Sequence, residues 1–210
     1  MALSLLGSSS SFVWGTPSLG RPCYSCNMAN NDFEHYKGWA VDLAIDLVNT
    51  AATDDDRLAH AGDVAELLAR HHVAARRRAT DDDATHLRAV RGQLRAVMDA
   101  DDIAQAAPSL NSLAAEGGCT PRLSNHDGHD WHLDHHIPGD LLWRHVAAEC
   151  AAGLMDFVLR HSPRRLRSCA ASDCSRYFAD RTRNASARFC PQRGCANRTR
   201  VRRHRQAREL

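Results

Sequence analysis

Apolar residues recur at helical spacing through most of residues 39–161. In WAVDLAIDLVNT (39–50), Val41, Ile45 and Val48 fall at i, i+4 and i+7 with Leu43 and Leu47 alongside, which predicts a helix. DVAELLARHH (63–72) repeats the rule with Val64, Leu67 and Leu68. Thr80 precedes three aspartates and then a stripe of Leu87, Val90, Leu94 and Val97, the pattern of an N-cap, an acidic first turn and an amphipathic helix. DIAQAAPSLNSLAAEG (102–117) predicts a further helix, broken or begun at Pro108 and closed by Gly117 and Gly118. The period then changes. Residues 119–136 alternate in DWHLD and contain Asp127–Gly128, which predicts a hairpin. Pro138 opens a long helix carrying Leu142, Val146, Cys150, Leu154 and Phe157 on one face and ending before Ser162–Pro163. Residues 163–168 read as a short arginine-rich link.

Beyond that link, apolar periodicity gives way to cysteine spacing. Cys169 and Cys174 form C-x4-C, fifteen residues intervene, and Cys190 and Cys195 repeat it. Four thiolates in two short loops suit the tetrahedral preference of zinc, and a complete thiolate set leaves no position for water, so the expected ion is one structural Zn2+. RYFA and ARFC read as two strands joined through DRTRNAS, with a helix from Gly194 onward. The order is knuckle, hairpin, helix, a treble-clef-like arrangement, with the second pair at a helix N-terminus whose dipole favours thiolate. Two disulfides are the alternative in an exported chain. The N-terminus argues against export, because its apolar patch has no basic residue before it. The C-x-x-C of Cys23 and Cys26 has no βαβ context to support a redox role.

Charge separates the same two parts of the chain. The net charge is +2, yet residues 160–210 hold fifteen Arg against three acids, and residues 1–159 hold twelve basic against twenty-two acidic residues. A C-terminal excess of twelve positive charges calls for an anionic partner. Arg198, Arg200, Arg202, Arg203, Arg205 and Arg208 surround a predicted terminal helix in which like charges repel at i, i+4, so a phosphate backbone is the expected counter-charge. Arg176, Arg181, Arg183, Arg188 and Arg193 extend the basic surface over the finger. Most of these predict phosphate contacts, with Arg198 and Arg202 the candidates for reading guanine. Asn184 and Asn197 are expected to fix backbone in the turn and the helix start, with a base contact as the alternative role.

Residues 169–205 resemble the CGNR-type zinc finger of bacterial proteins described as stress-induced transcription regulators. The resemblance rests on Phe178, Asp180, Thr182–Arg183–Asn184, Cys190 and Cys195–Ala196–Asn197–Arg198. LAIDLVNT (43–50) resembles the opening helix of the ABATE domain that accompanies this finger. The resemblance implies a regulator that binds double-stranded DNA, with the helical domain sensing a small-molecule effector or forming a homodimer. Two positions depart from the pattern. Ala196 replaces a Gly, which would strain any backbone needing positive φ, and Thr182 replaces Ser with the hydroxyl kept.

The fold class that follows is mainly α, with a helical N-terminal domain carrying one hairpin and a small C-terminal four-cysteine finger. Domain limits are drawn at 1–35 for a disordered leader (Met28 being a candidate start), 36–161 for the ABATE-like domain and 164–208 for the finger. An enzyme is not expected, since residues 169–203 contain no His to serve as the base of a treble-clef nuclease. No apolar run approaches the roughly 18 residues that span a bilayer, and the expected compartment is the cytoplasm. His126, His129, His132, His135 and His136, with three nearby aspartates, read as a polar hairpin, a second metal site being the alternative. The alternative function is a zinc-stabilised adaptor for RNA or an acidic protein.

Overall fold

The computed structural model describes residues 32–52, 55–73, 75, 77–124, 131–135, 141–191 and 194–208. The leader as far as residue 31, Met28, the Cys23–Cys26 pair, the Asp127–Gly128 turn, Pro138, Arg193 and the side chains of His126, His129, His132 and His136 lie outside the described residues. The described residues form six helices: α1 (Asp32–Asn49), α2 (Ala61–Arg70), α3 (Asp81–Met98), α4 (Ile103–Glu116), α5 (Leu142–His161) and α6 (Cys195–Gln206). Two antiparallel hairpins accompany them, β1 (Arg122–Ser124) with β2 (His132–Asp134) and β3 (Leu166–Ser168) with β4 (Tyr177–Ala179). The architecture is mainly α, as the periodicity predicts.

α5 is the centre of the helical part and packs against α1, α3 and α4. Its buried face combines Leu142, Val146, Leu154 and Phe157 with Ala147, Ala148, Ala151, Ala152 and Gly153, small residues that let neighbouring helices approach. A Cβ on Gly153 would stand 2.7 Å from the Ala40 Cβ, and one on Gly117 would stand 2.7 Å from the Ala148 nitrogen. Cys150 belongs to this core: burial and the adjacent Glu149 push its thiol well above the ordinary value, so it stays neutral. The predicted stripes Val41/Ile45/Val48, Val64/Leu67/Leu68 and Leu87/Val90/Leu94/Val97 are all buried.

Thr80 caps α3 as its sequence requires, accepting from the Asp83 N–H, while Asp83 accepts from the Thr80 N–H in return. α4 corrects one expectation. Pro108 neither breaks nor begins it; the helix starts five residues earlier, where Asp102 caps Gln105 N at 2.9 Å, and runs through the proline. One lost backbone hydrogen bond is outweighed by burial of Ala106, Leu110 and Leu113 on the same face. Gly118, at φ 65°, then turns the chain, and Cys119 N closes on Ala114 O at 2.8 Å. The 119–136 hairpin forms with Leu123 opposite Leu133.

Residues 163–168 are not a simple link. Pro163–Arg165 make a 3-10 turn and Leu166–Ser168 make β3, which pairs with β4 in the register Leu166–Ala179, Arg167–Phe178 and Ser168–Tyr177. The first cysteine pair lies in the connection of this hairpin. ARFC is not a strand; it is fastened instead by Ala170 N donating to Arg188 O at 2.8 Å. Alternation along β4 then divides its side chains. Tyr177 and Ala179, with Leu166 of β3, pack into the core of the helices, while Phe178 packs with Cys169, Ala171, Cys190 and Cys195. One three-residue strand is therefore common to both hydrophobic cores.

Candidate metal centre and basic helix

The Sγ atoms of Cys169, Cys174, Cys190 and Cys195 all lie within 4.8 Å of one another. Cys174 and Cys190 are 3.8 Å apart and Cys190 and Cys195 3.6 Å apart. A tetrahedral Zn–S distance of about 2.3 Å requires S···S separations of about 3.8 Å, so the arrangement fits zinc. Donors around the sulfurs fit thiolate as well: Cys190 N–H points at Cys169 Sγ at 3.4 Å, and Arg198 Nη2 at Cys195 Sγ at 3.3 Å. Burial alone would raise the Cys169 thiol, but the backbone N–H groups of Cys190 and Ala171 bring it below the ordinary value. Cys190 moves the other way, to about 12, because it is buried and surrounded by the other three sulfurs. Crowded thiolates of this kind repel one another until a dication offsets their charge. The centre holds one structural zinc, and its four sulfurs complete the tetrahedron.

Gly194, at φ 60°, is the left-handed residue that turns the second knuckle into α6. The strain feared at Ala196 does not arise. Ala196 is the second residue of α6 with helical backbone, and the positive φ falls two positions earlier. The turn before the second cysteine pair is organised by Asp180, which is fully buried. Its carboxylate accepts from Thr182 N, Thr182 Oγ1 and Ala187 N, and these donors hold it below the usual carboxylate range. Arg165 and Arg167 of the β3 region tie the same turn through carbonyls of Asp180, Thr182, Ala185 and Ala187. Asn184 and Asn197 do not fix the backbone here. Asn184 is exposed at the tip of the turn, and Asn197 Oδ1 accepts from Arg200 at 2.8 Å.

The arginines divide into distinct groups. Arg176, read as basic surface, is mostly buried against Asp46 of α1. Arg181 pairs with Asp42 at 2.9 Å and also reaches Gly38 O. Arg198 and Arg202 both turn back to Asp173 in the first knuckle, at 3.2 and 3.5 Å, and Arg202 also bonds Ser172. Arg198 and Arg202, the candidates for reading guanine, are thus each engaged with Asp173 while remaining partly exposed. Arg183, Arg188, Arg200, Arg203, Arg205 and Arg208 are exposed and make no ion pair among the described residues. The sequence reading missed Asp46, Asn49 and Asp173, and marked Asp180 only through the family resemblance. Its one available signal was the row of polar residues, Asp42, Asp46 and Asn49, at helical spacing inside an apolar helix. In the histidine-rich segment, His135 is buried beside Asp134, which pairs with Arg122 at 2.9 Å. The metal grouping found among the described residues is the four-cysteine one.

A helical body joined to a four-thiolate finger with a basic terminal helix defines a zinc-finger protein. Residues 41–159 match the ABATE family, described as "putative stress-induced transcription regulator", and residues 165–208 match the CGNR zinc finger. The chain belongs to the ABATE family and carries the CGNR finger. Neither description is that of an enzyme. Curated proteins provide no match to it. Among the described residues no helix is long and apolar enough to cross a membrane.

Proposed function

We propose that this chain is a cytoplasmic, non-enzymatic transcription regulator that binds double-stranded DNA through its zinc-anchored C-terminal helix. The observation that carries the reading is the state of α6. From Ala196 to Arg208 every residue except Thr199 is exposed, so the helix has no apolar face to bury. Its outward arginines, Arg200, Arg203 and Arg205, with Arg208 just beyond it, repel one another without a counter-charge among the described residues, and phosphates would supply one. Arg183 and Arg188, on the rigid turn organised by Asp180, add two more candidate phosphate contacts. Asn184 at the tip of that turn has the donor and acceptor pair that reads adenine. Arg198 and Arg202 reach DNA in this reading only by leaving Asp173. The helical body is the part that senses an effector or dimerises.

The test is fluorescence anisotropy of the zinc-loaded chain with random-sequence duplex DNA across a salt series, with and without chelator. About five phosphate contacts give a log–log salt slope of about −4.5, and chelation abolishes the binding. Binding unaffected by chelation would make the arginines an unstructured polycation. No binding at low salt would favour the adaptor for RNA or an acidic protein, to be checked with those ligands.

A further inference from the structure

The polar row of α1 is the seat of the finger. Asp42, Asp46 and Asn49 lie at i, i+4 and i+7, on one side of a helix whose other residues from Ala40 to Val48 are core. Each meets a different part of the β4 region. Asp42 pairs with Arg181 and Asp46 with Arg176. Asn49, 3% exposed, makes two hydrogen bonds with one backbone residue: Tyr177 N donates to its Oδ1 at 2.8 Å and its Nδ2 donates to Tyr177 O at 3.0 Å. A side-chain amide thus stands where a third strand would pair with β4. Ser175 Oγ donates to Ala52 O at 2.9 Å and Tyr177 Oη donates to Asp99, so contacts run from the end of α1 to the end of α3. Asp46 is also bonded by His71 at 3.0 Å and Arg70 at 3.5 Å, so the finger's arginine shares its carboxylate with α2.

We infer that zinc occupancy of the finger is coupled through this clamp to the stability of the whole helical body. The metal is then a ligand of the entire chain as well as of the finger. The path is short. Zinc gathers the four cysteines around Phe178, Phe178 fixes β4, and β4 brings Tyr177 and Ala179 into the helical core and the Tyr177 backbone to Asn49. Without the metal the Phe178 cluster loses its organising centre, β4 frays, and Asn49 and Asp46 are left buried with their finger partners gone. Linkage makes the effect reciprocal, so a ligand that stabilises the α1–α3 body raises zinc affinity. The inference does not depend on DNA, and its test contains none, so either reading can fail alone.

The experiment is thermal unfolding of the full chain followed by circular dichroism at 222 nm, a signal dominated by α1–α5, with one equivalent of zinc and with excess chelator. The expected result is a fall of roughly 5 °C or more in the midpoint of the helical transition on chelation. In Asn49→Ala the zinc-dependent shift drops to less than half while the variant still binds one zinc, measured by colorimetric titration. Should Asn49→Ala fail to fold, Arg176→Ala decides, because it leaves Asp46 with Arg70 and His71 and leaves the zinc centre untouched. A helical transition indifferent to chelation would overturn the inference, and so would a full zinc-dependent shift in the decisive variant.

Discussion

Asp83 shows how much one carboxylate can hold. It is 1% exposed and accepts from the Thr80 N–H, the Thr80 hydroxyl and both terminal nitrogens of Arg77, at 2.6 and 2.8 Å for the latter. Asp83→Ala removes the charge partner and the capping box together. The expected loss is about 3 kcal/mol, toward the lower end for breaking a buried pair because Arg77 is partly exposed, and urea denaturation followed by circular dichroism measures it. Gly194 makes the opposite point with no side chain at all. At φ 60° an alanine costs about 1–2 kcal/mol, so Gly194→Ala weakens zinc affinity or finger stability. Ala196→Gly, which restores the residue usual in the motif, brings no gain and costs about 1 kcal/mol because the position is helical. Competition with a chromophoric chelator separates the two variants. Both residues could be marked from sequence, Asp83 as part of an acidic first turn and Gly194 as a helix start, but their partners and φ values come from the fold.

At the level of elements, α5 and α6 are opposites. α5 is buried on most sides and depends on small residues for close approach. Gly153→Leu would drive a side chain into Ala40, where even a Cβ stands at 2.7 Å, and should destabilise by about 1–3 kcal/mol as α1 and α5 separate. Thermal unfolding checks this, with Gly92→Ala as the control because nothing lies within 4 Å of a Cβ there. α6 is exposed and charged, with no apolar face to bury. In the proposed DNA complex, Arg203→Ala with Arg205→Ala should lower the salt slope by about two and leave the zinc stoichiometry unchanged. Helix existence was legible along most of the chain, because an amphipathic stripe is a local pattern. The finger hairpin was not. A knuckle with three-residue strands leaves almost no periodicity, so RYFA was matched with ARFC instead of with Leu166–Ser168.

For the molecule as a whole, the acidic body and the basic finger are parts of one electrostatic arrangement. Asp42 and Asp46 offset Arg181 and Arg176, so part of the acid excess of residues 1–159 is an internal counter-charge. Asp46, Asp83 and Asp180 are each held below the ordinary carboxylate value of 3.8 by hydrogen bonds and neighbouring arginines that outweigh their burial. Below that value the unfolded chain binds protons that the folded chain still refuses, so stability rises with pH in that window. Their contribution is complete at neutral pH and is lost as the pH falls from about 3.8 through the lowered folded values. Melting temperatures at pH 7 and pH 3 should show the drop, and a smaller drop in Asp83→Asn, after subtracting the zinc lost to thiol protonation by repeating the series on Cys190→Ala.

The sequence alone determined the helices, the four ligands and the charge division, because each is a pattern confined to a few residues or a sum over many. Tertiary structure alone decided which arginines stay available and which are spent on Asp42, Asp46 and Asp173. It also decided that the finger and the body share β4. Asn49 and Tyr177 are 128 residues apart, and no local pattern carries a pairing across that distance; packing must bring the chain together before the amide and the strand edge can meet.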